Sequence, residues 1–169
     1  FGYMVLGLII EEILGMSHVD AIREFILTPE LWISDSEFFL GRTFAVDQSP
    51  REPVYLCFGC GSCTNVFNPN GDPVSCPYGS WDHESTLGHG NLVASAAPLI
   101  TFLDHYAASG YANGDSMIGT ELTSPHDGGH TGGLPGTSTY VNQRSDGVNV
   151  VILFNERVPE GARDIVAEI

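Results

Sequence analysis

The chain has 169 residues, of which 21 are acidic and 6 are basic, and its formal net charge is -15. This balance excludes nucleic-acid binding, which needs clustered positive charge, and argues against docking on anionic membranes. With 43% apolar and only 16% charged residues, the chain is expected to fold rather than stay disordered. The acidity fits either an ordinary solvated surface or adaptation to high salt.

The most apolar stretch lies at the start of the chain and predicts a helix. Residues 1–14 place apolar side chains at helical spacing with Glu11 and Glu12 on the other face, and Gly15 supplies a stop. The stretch lacks the roughly 20 apolar residues that a membrane span requires, so we expect no membrane insertion. It also lacks the basic start and the cleavage site of a signal peptide.

Other helix signals follow along the chain. Ser17 and Asp20 predict the start of a helix over 18–27 that stops before Pro29. Ser95 predicts the start of another over 96–108. Residues 30–53 show no clear period, and the Gly, Pro and Cys content of 53–90 predicts a long irregular loop.

The last third of the chain predicts a β-hairpin. Residues 137–142 and 148–154 are rich in strand-forming side chains, and a Ser-Asp-Gly turn at 145–147 separates them. A final helix is predicted over 161–169. Helices followed by a hairpin and a closing helix predict an α+β fold, an antiparallel sheet flanked by helices.

The four cysteines lie in one segment and leave three interpretations open. Zinc could be held by four thiolates, with His83 or His89 replacing one, although a zinc ribbon has two separated C-x-x-C pairs and here only one run is present. Two disulfides in the loop of an exported protein and free thiols are the other two interpretations. We favour the disulfides, and with them a secreted or periplasmic location. The cysteines are Cys57, Cys60, Cys63 and Cys76.

A glycine-dense stretch carries the candidate chemistry. It runs from Gly128 to Ser138, reads GGHTGGLPGTS, and is expected to form a turn that leads directly into a strand. Its glycines permit close approach of the backbone to a ligand, and successive exposed N–H groups can stabilise an oxyanion. His130 adds a side chain that can donate or accept a proton.

This stretch resembles the third motif of the serine β-lactamase-like and penicillin-binding-protein-like hydrolases, in the branch of class C-like esterases and D-aminopeptidases. In that branch the Lys-Thr-Gly triplet is often His-x-Gly followed by Gly-Leu-Pro-Gly. Residues 148–155 are similar to the family's next strand. Residues 1–17 resemble the helix that follows its Tyr-x-Asn motif, and residues 88–102 are similar to its GGLVSTAADLARF element. The matches occur in the family's order, and residues 53–85 read as an insertion.

The resemblance implies serine acyl transfer to an ester, amide or β-lactam through an acyl-enzyme, with no cofactor and no metal. His130 would tune the site or orient the substrate, and the N–H of Gly133 would supply half of the oxyanion hole. Thr131, Gly132 and Leu134 would line the substrate strand.

The family's nucleophile motif is absent from the chain. The sequence contains no lysine, so it cannot carry Ser-x-x-Lys. Its two Tyr-x-Asn triplets, at residues 111–113 and 140–142, follow rather than precede the helix of residues 1–17 and so do not occupy the family's position for that motif. We therefore interpret residues 1–169 as the C-terminal part of one β-lactamase-like domain. Its partner would be a complementary N-terminal segment of the same domain, without which the sheet would keep an unpaired edge and exposed apolar faces.

Several alternatives stay open. The chain could be a non-catalytic binding or structural domain that keeps the fold, or a zinc protein built on its cysteines. The sequence also contains the residue types of a Ser-His-Asp triad: Ser138, His126 or His130, and Asp127. It contains no Gly-x-Ser-x-Gly motif, which would mark a nucleophile elbow. A metal cluster is the last alternative, with ligands from His83, His89, His126, His130 and Asp82 or Asp127.

Overall fold

The computed structural model describes residues 1–27, 31–34, 36–112 and 115–158. Its elements fall into two units. The N-terminal unit comprises Phe1–Pro53 and Ser62–Pro98, and the C-terminal unit comprises Val54–Gly61 and the chain from Leu99 onward. In the described part of the chain, no helix is both long and apolar enough to cross a membrane.

Both N-terminal helices form where the sequence predicts them. Helix α1, Gly2–Leu14, ends at Gly15, which takes φ 65° and donates its N–H to the Glu11 carbonyl at 2.8 Å. Helix α2, His18–Ile22, begins at Ser17, whose Oγ accepts the Asp20 N–H at 3.1 Å. It continues as a π-helical turn over Arg23–Leu27. The predicted end before Pro29 lies outside the described residues.

Short strands complete the N-terminal unit. Strand β1, Phe38–Leu40, pairs antiparallel with β4, Leu92–Ala94, and β2, Ser62–Cys63, pairs with β3, Val74–Ser75. Two 3-10 turns cover Ala45–Asp47 and Leu87–His89. Most of the predicted loop between residues 53 and 90 is therefore irregular. The buried apolar side chains of the unit come chiefly from α2 and the segment after it: Val19, Ala21, Leu27, Leu31, Ile33 and Phe38.

All four cysteines are paired in disulfides, as the favoured interpretation predicts. Cys63 and Cys76 join β2 to β3 with a Cα–Cα distance of 5.0 Å. Cys57 and Cys60 close a turn with a Cα–Cα distance of 5.4 Å. Because no cysteine is left free, the structure favours disulfides over the zinc and free-thiol alternatives.

The C-terminal unit is built on a three-stranded antiparallel sheet. Strand β5, Tyr111–Ala112, and strand β6, Asp115–Ser116, form a small separate pair. Strands β7, Gly128–Leu134, β8, Thr137–Gln143, and β9, Asn149–Phe154, lie in the order β7-β8-β9. The predicted hairpin is thus confirmed as β8 and β9. The predicted helix over 161–169 lies outside the described residues.

Helix α3, Ala96–His105, is shorter than the predicted helix over 96–108. It ends early because the next N–H groups find other partners: Ala107 donates to the Thr120 carbonyl at 2.9 Å rather than continuing the helix. Gln143, the last residue of β8, is only 1% exposed and connects the end of α3 to the sheet through hydrogen bonds. Its Nε2 donates to the Leu103 and Tyr106 carbonyls at 2.7 and 2.9 Å, and its Oε1 accepts the Ala108 N–H at 2.8 Å.

Together these elements make a mixed fold of helices and small antiparallel sheets, in agreement with the predicted α+β class.

Candidate active site

The glycine-dense stretch forms a strand rather than a turn. Residues 128–134 are β7, and the chain turns at Pro135 and Gly136, where Gly136 takes φ 82°. Leu134 pairs with Thr137 and Gly128 with Gln143, so every residue of β7 has a partner on β8. The expectation of a turn leading into a strand was wrong for β7. The alternation of side chains that reveals most strands is missing where so many residues are glycine.

Strand β7 lies at an edge of the sheet, and no described strand pairs with its other side. The hydrogen bonds at the C-terminal end of β8 determine which residues of β7 direct their backbone N–H and C=O groups outward. There the Arg144 N–H donates to the Val148 carbonyl at 3.0 Å, next to the pair Gln143 and Asn149. Because hydrogen-bonded and non-hydrogen-bonded pairs alternate in an antiparallel ladder, the even-numbered residues of β8 bond to β9 and the odd-numbered ones bond to β7.

This alternation decides which backbone groups of β7 are open. Leu134, Gly132 and His130 lie opposite the odd-numbered residues of β8 and exchange hydrogen bonds with them. The N–H and C=O groups of Gly133 and Thr131 therefore point away from the sheet. A two-residue turn also closes on a hydrogen-bonded pair, which agrees with this assignment. Gly133 thus presents its N–H at an open edge, as an oxyanion donor must.

The side chains of β7 divide between the two faces of the sheet. His130 and Gly132 lie opposite Val141 and Thr139, on the face that carries Gln143, whereas Thr131 lies on the other face opposite Tyr140. Both His130 and Thr131 are exposed. The His130 imidazole makes no side-chain hydrogen bond to any described residue, so it is available to a ligand.

Glycine is required at two positions of β7 by the close approach of β8. A Cβ built on Gly129 would lie 2.8 Å from the Val141 carbonyl oxygen, and one built on Gly132 would overlap Thr139 Oγ1. The backbone is consequently free of side chains on either side of His130 and Thr131. This leaves the edge accessible to a flat or extended substrate.

The alternative triad is not assembled. Ser138 lies on the same face as Thr131 and opposite to that of His130, is 4% exposed, and its Oγ accepts the Val158 N–H at 3.0 Å. The His126 imidazole is hydrogen-bonded through Nε2 to the Ser109 carbonyl. Ser138 is therefore a buried structural residue, not a nucleophile activated by His130.

The suggested histidine metal cluster is not found either. Both ring nitrogens of His83 are engaged, Nδ1 with Asn91 Oδ1 at 2.7 Å and Nε2 with the Pro77 carbonyl at 3.3 Å. The ring of His89 stacks on Trp81 with centroids 5.8 Å apart. Across the residues that the structure describes, no three His, Cys, Asp or Glu side chains converge as metal ligands would.

A cavity of about 330 Å³ lies elsewhere in the C-terminal unit. Its walls include Asp104, His126, Arg144 and Asn149, and they include no residue of β7. In the adjacent turn, Arg144 binds Asp146 at 2.7 Å, and this hydrogen bond lowers the pKa of the Asp146 carboxyl. We place the candidate chemistry at β7, which carries an exposed histidine and unpaired backbone groups along its edge, rather than in this cavity.

Sequence reasoning missed the residue that holds this sheet in place, Gln143. Its surroundings come from residues 103–108, about 40 positions away, and nothing local marks a glutamine as buried. Comparisons with known proteins add no further constraint. No family model matches the sequence, and no curated protein or solved structure shows significant similarity to it.

Proposed function

We propose that this chain is part of a serine hydrolase that acts through an acyl-enzyme on an ester, an amide or a β-lactam. The observation that supports this most directly is the open edge of β7, where the outward N–H of Gly133 lies one residue after the His130-Thr131-Gly132 triplet. The resemblance to the third motif of the β-lactamase-like hydrolases supplies the reaction class. The sheet and helices of the C-terminal unit are compatible with that fold.

In this proposal the β7 edge performs the electrostatic part of the reaction. The Gly133 N–H donates to the oxyanion of the tetrahedral intermediate, and the N–H of the nucleophile itself supplies the second bond. Thr131 on one face of the sheet, and Gly132 and Leu134 on the other, border the edge along which the substrate lies. His130, which is exposed and makes no side-chain hydrogen bond to the described part of the chain, orients the substrate or stabilises its charge. No cofactor or metal is required.

The nucleophile and its base are proposed to come from a complementary segment of the same domain, because the chain contains no lysine for a Ser-x-x-Lys motif. Unpartnered apolar surface supports such a segment. In α1, the side chains of Leu6, Leu8 and Ile13 are 53%, 62% and 75% exposed. At the end of β9, Leu153 and Phe154 are 37% and 39% exposed. Surfaces of this kind mark interfaces.

The disulfides support a further part of the proposal. Paired cysteines persist in oxidising compartments, and we propose that the protein is secreted or periplasmic.

Covalent labelling tests the reaction class. The complete protein that contains this chain is incubated with a fluorescent phosphonate or penicillin, and the labelled peptide is identified by mass spectrometry. We expect one adduct, on a serine of a Ser-x-x-Lys motif outside residues 1–169. The separate chain should stay unlabelled. A folded protein that forms no adduct would be a binding domain, and an adduct on a serine of this chain would also overturn the proposal.

Substitution of His130 tests the role of β7. In the complete protein, His130→Ala is expected to lower the rate of adduct formation at least about tenfold, because a positioned polar group near the reacting carbonyl is lost. His105→Ala is the matched control. His105 is an exposed histidine at the end of α3 whose Nδ1 contacts the Thr101 carbonyl at 2.9 Å, and its removal should leave the rate unchanged. Equal rates for the two variants would contradict the role given to His130.

A further inference from the structure

The two disulfides differ in the parts of the chain that they hold. The Cys63–Cys76 disulfide spans 13 positions, joins β2 to β3, and includes a cysteine that is only 3% exposed. The Cys57–Cys60 disulfide spans 3 positions. Both of its cysteines are half-buried, and they flank Phe58, which is 74% exposed, and exposed Gly59. Attack by a thiolate needs access to a sulfur atom. Both cysteines of the Cys57–Cys60 pair are partly exposed, whereas in the other pair only Cys63 is.

The two disulfides also close loops of different size, of 3 and 13 positions. A disulfide stabilises a protein partly by restricting the unfolded chain, and the effect grows with the length of the closed loop. The ring closed by Cys57 and Cys60 is short, so its reduction adds little conformational entropy to the unfolded chain. The ring closed by Cys63 and Cys76 is longer, and its reduction also frees the strand pair β2–β3. Opening the Cys63–Cys76 disulfide in the folded protein therefore disturbs a strand pair, whereas opening the Cys57–Cys60 disulfide frees only a turn.

The segment before Cys57 is attached to the end of β9. The Leu56 N–H donates to the Asn155 carbonyl at 2.8 Å, and Asn155 Nδ2 donates to the Val54 carbonyl at 2.8 Å. Leu56 also forms a parallel bridge with Glu156. The Cys57–Cys60 turn, with Gly59 at φ 80°, follows this attachment directly. A change at Cys57 is one residue away from the hydrogen bond that fixes the segment.

We propose that the Cys57–Cys60 disulfide is a reversible modification site, reduced by dithiols while the Cys63–Cys76 disulfide stays intact, and that its reduction loosens the attachment of Leu56 to Asn155. One thiolate of the dithiol attacks a sulfur of the pair, the S–S bond breaks, and the other cysteine leaves as a thiolate that takes up a proton. The second thiol of the reagent then attacks the mixed disulfide. The protein gains two thiols, and the dithiol is oxidised to its own disulfide.

The order of reduction is measured by titrating the oxidised protein with dithiothreitol under native conditions. Each sample is quenched with acid, unfolded and alkylated, so that the label reports reduction and not access of the alkylating reagent. Mass spectrometry of the peptides then gives the reduced fraction of each pair. We expect the Cys57–Cys60 pair to be half-reduced at a dithiothreitol concentration at least about tenfold below that for the Cys63–Cys76 pair. Simultaneous reduction, or the reverse order, would overturn the proposal.

Hydrogen exchange tests the structural consequence. After selective reduction, the Leu56 amide should exchange faster, while the amides of β8 keep their rates. The Cys57→Ser/Cys60→Ser variant should reproduce the faster Leu56 exchange without reductant and should leave the titration of the Cys63–Cys76 pair unchanged. A Leu56 exchange rate that is the same before and after reduction would contradict the proposed loosening.

Discussion

Replacing Gln143 by leucine is expected to lower the free energy of unfolding by about 4 kcal/mol. The side chain is 1% exposed and satisfies three backbone groups: the carbonyls of Leu103 and Tyr106 and the N–H of Ala108. Leucine fills a similar volume but removes all three of these hydrogen bonds, and the loss of a buried hydrogen bond costs about 1–3 kcal/mol where the remaining group is not satisfied again. Urea unfolding followed by circular dichroism measures the loss.

The chain offers a matched control in its other glutamine, Gln48. The Gln48 Nε2 donates an exposed hydrogen bond to the Pro53 carbonyl at 2.9 Å, and its Oε1 accepts a long one of 3.3 Å from the Tyr78 hydroxyl. Gln48→Leu should therefore cost only about 1 kcal/mol. If Gln143→Leu is no more destabilising than Gln48→Leu, the assignment of Gln143 as the residue that fastens α3 to the sheet is wrong.

A charged isostere tests the same contacts through pH. In Gln143→Glu the acceptor for the Ala108 N–H remains, but a carboxylate faces two carbonyl oxygens in place of a donor. This environment disfavours the ionised form and raises the pKa of the introduced carboxyl in the folded protein. The unfolded chain then binds fewer protons than the folded one in that range, so stability should rise as the pH falls through the raised pKa. A variant whose stability is independent of pH relative to the parent would contradict this.

The second large effect is expected at Gly88, where the 3-10 turn Leu87–His89 touches α1. A Cβ built on Gly88 would overlap the Tyr3 carbonyl oxygen and lie 3.2 Å from Met4 Cα. On the other side of the contact, a Cβ on Gly7 would lie 3.3 Å from Gly88 Cα. Both neighbours are backbone, which cannot move aside as a flexible side chain can. We expect Gly88→Ala to cost about 3 kcal/mol through overpacking.

Gly2→Ala is the control for Gly88→Ala. Gly2 is in the first turn of the same helix and has no atom within 4 Å of a built Cβ, so alanine should leave stability unchanged or raise it by up to about 1 kcal/mol. Tryptophan fluorescence during urea unfolding is a suitable readout, since Trp32 and Trp81 both belong to the N-terminal unit. Equal stability of the two variants would show that α1 does not approach the turn as closely as the structure indicates.

Local signals explain which elements were predictable. Helix α1 and the start of α2 depend on apolar spacing, on Gly15 and on the Ser17 cap, all of which act within a few residues. The hairpin β8–β9 likewise depends on β-branched residues around a short turn. By contrast, β1 is three residues long and is held by β4, more than 50 positions later. Its sequence contains too few residues to show a period.

The sequence singled out residues 128–138 as the candidate site, but the geometry of their backbone was not predictable from it. The residues of the motif suggested an oxyanion donor. The direction of the Gly133 N–H, however, depends on which residues of β8 are hydrogen-bonded to β9. That alternation is determined by the hydrogen bond between Arg144 and Val148, in the turn that connects β8 to β9. Similarly, the buried Ser138 Oγ accepts a hydrogen bond from the Val158 N–H, 20 residues later in the chain, and no local pattern predicts this contact.

The open edge of β7 has a consequence for solubility. Under the proposed function, the outward N–H and C=O groups of β7 bind a substrate. The same unpaired groups are also a template on which another chain can add a strand. The usual protections, an inward charge or a proline in mid-strand, would block the substrate as well. Four of the seven residues of β7 are glycine, and glycine is among the poorest strand formers. Glycine therefore lets the edge stay open to a small ligand while making it a weak nucleus for aggregation.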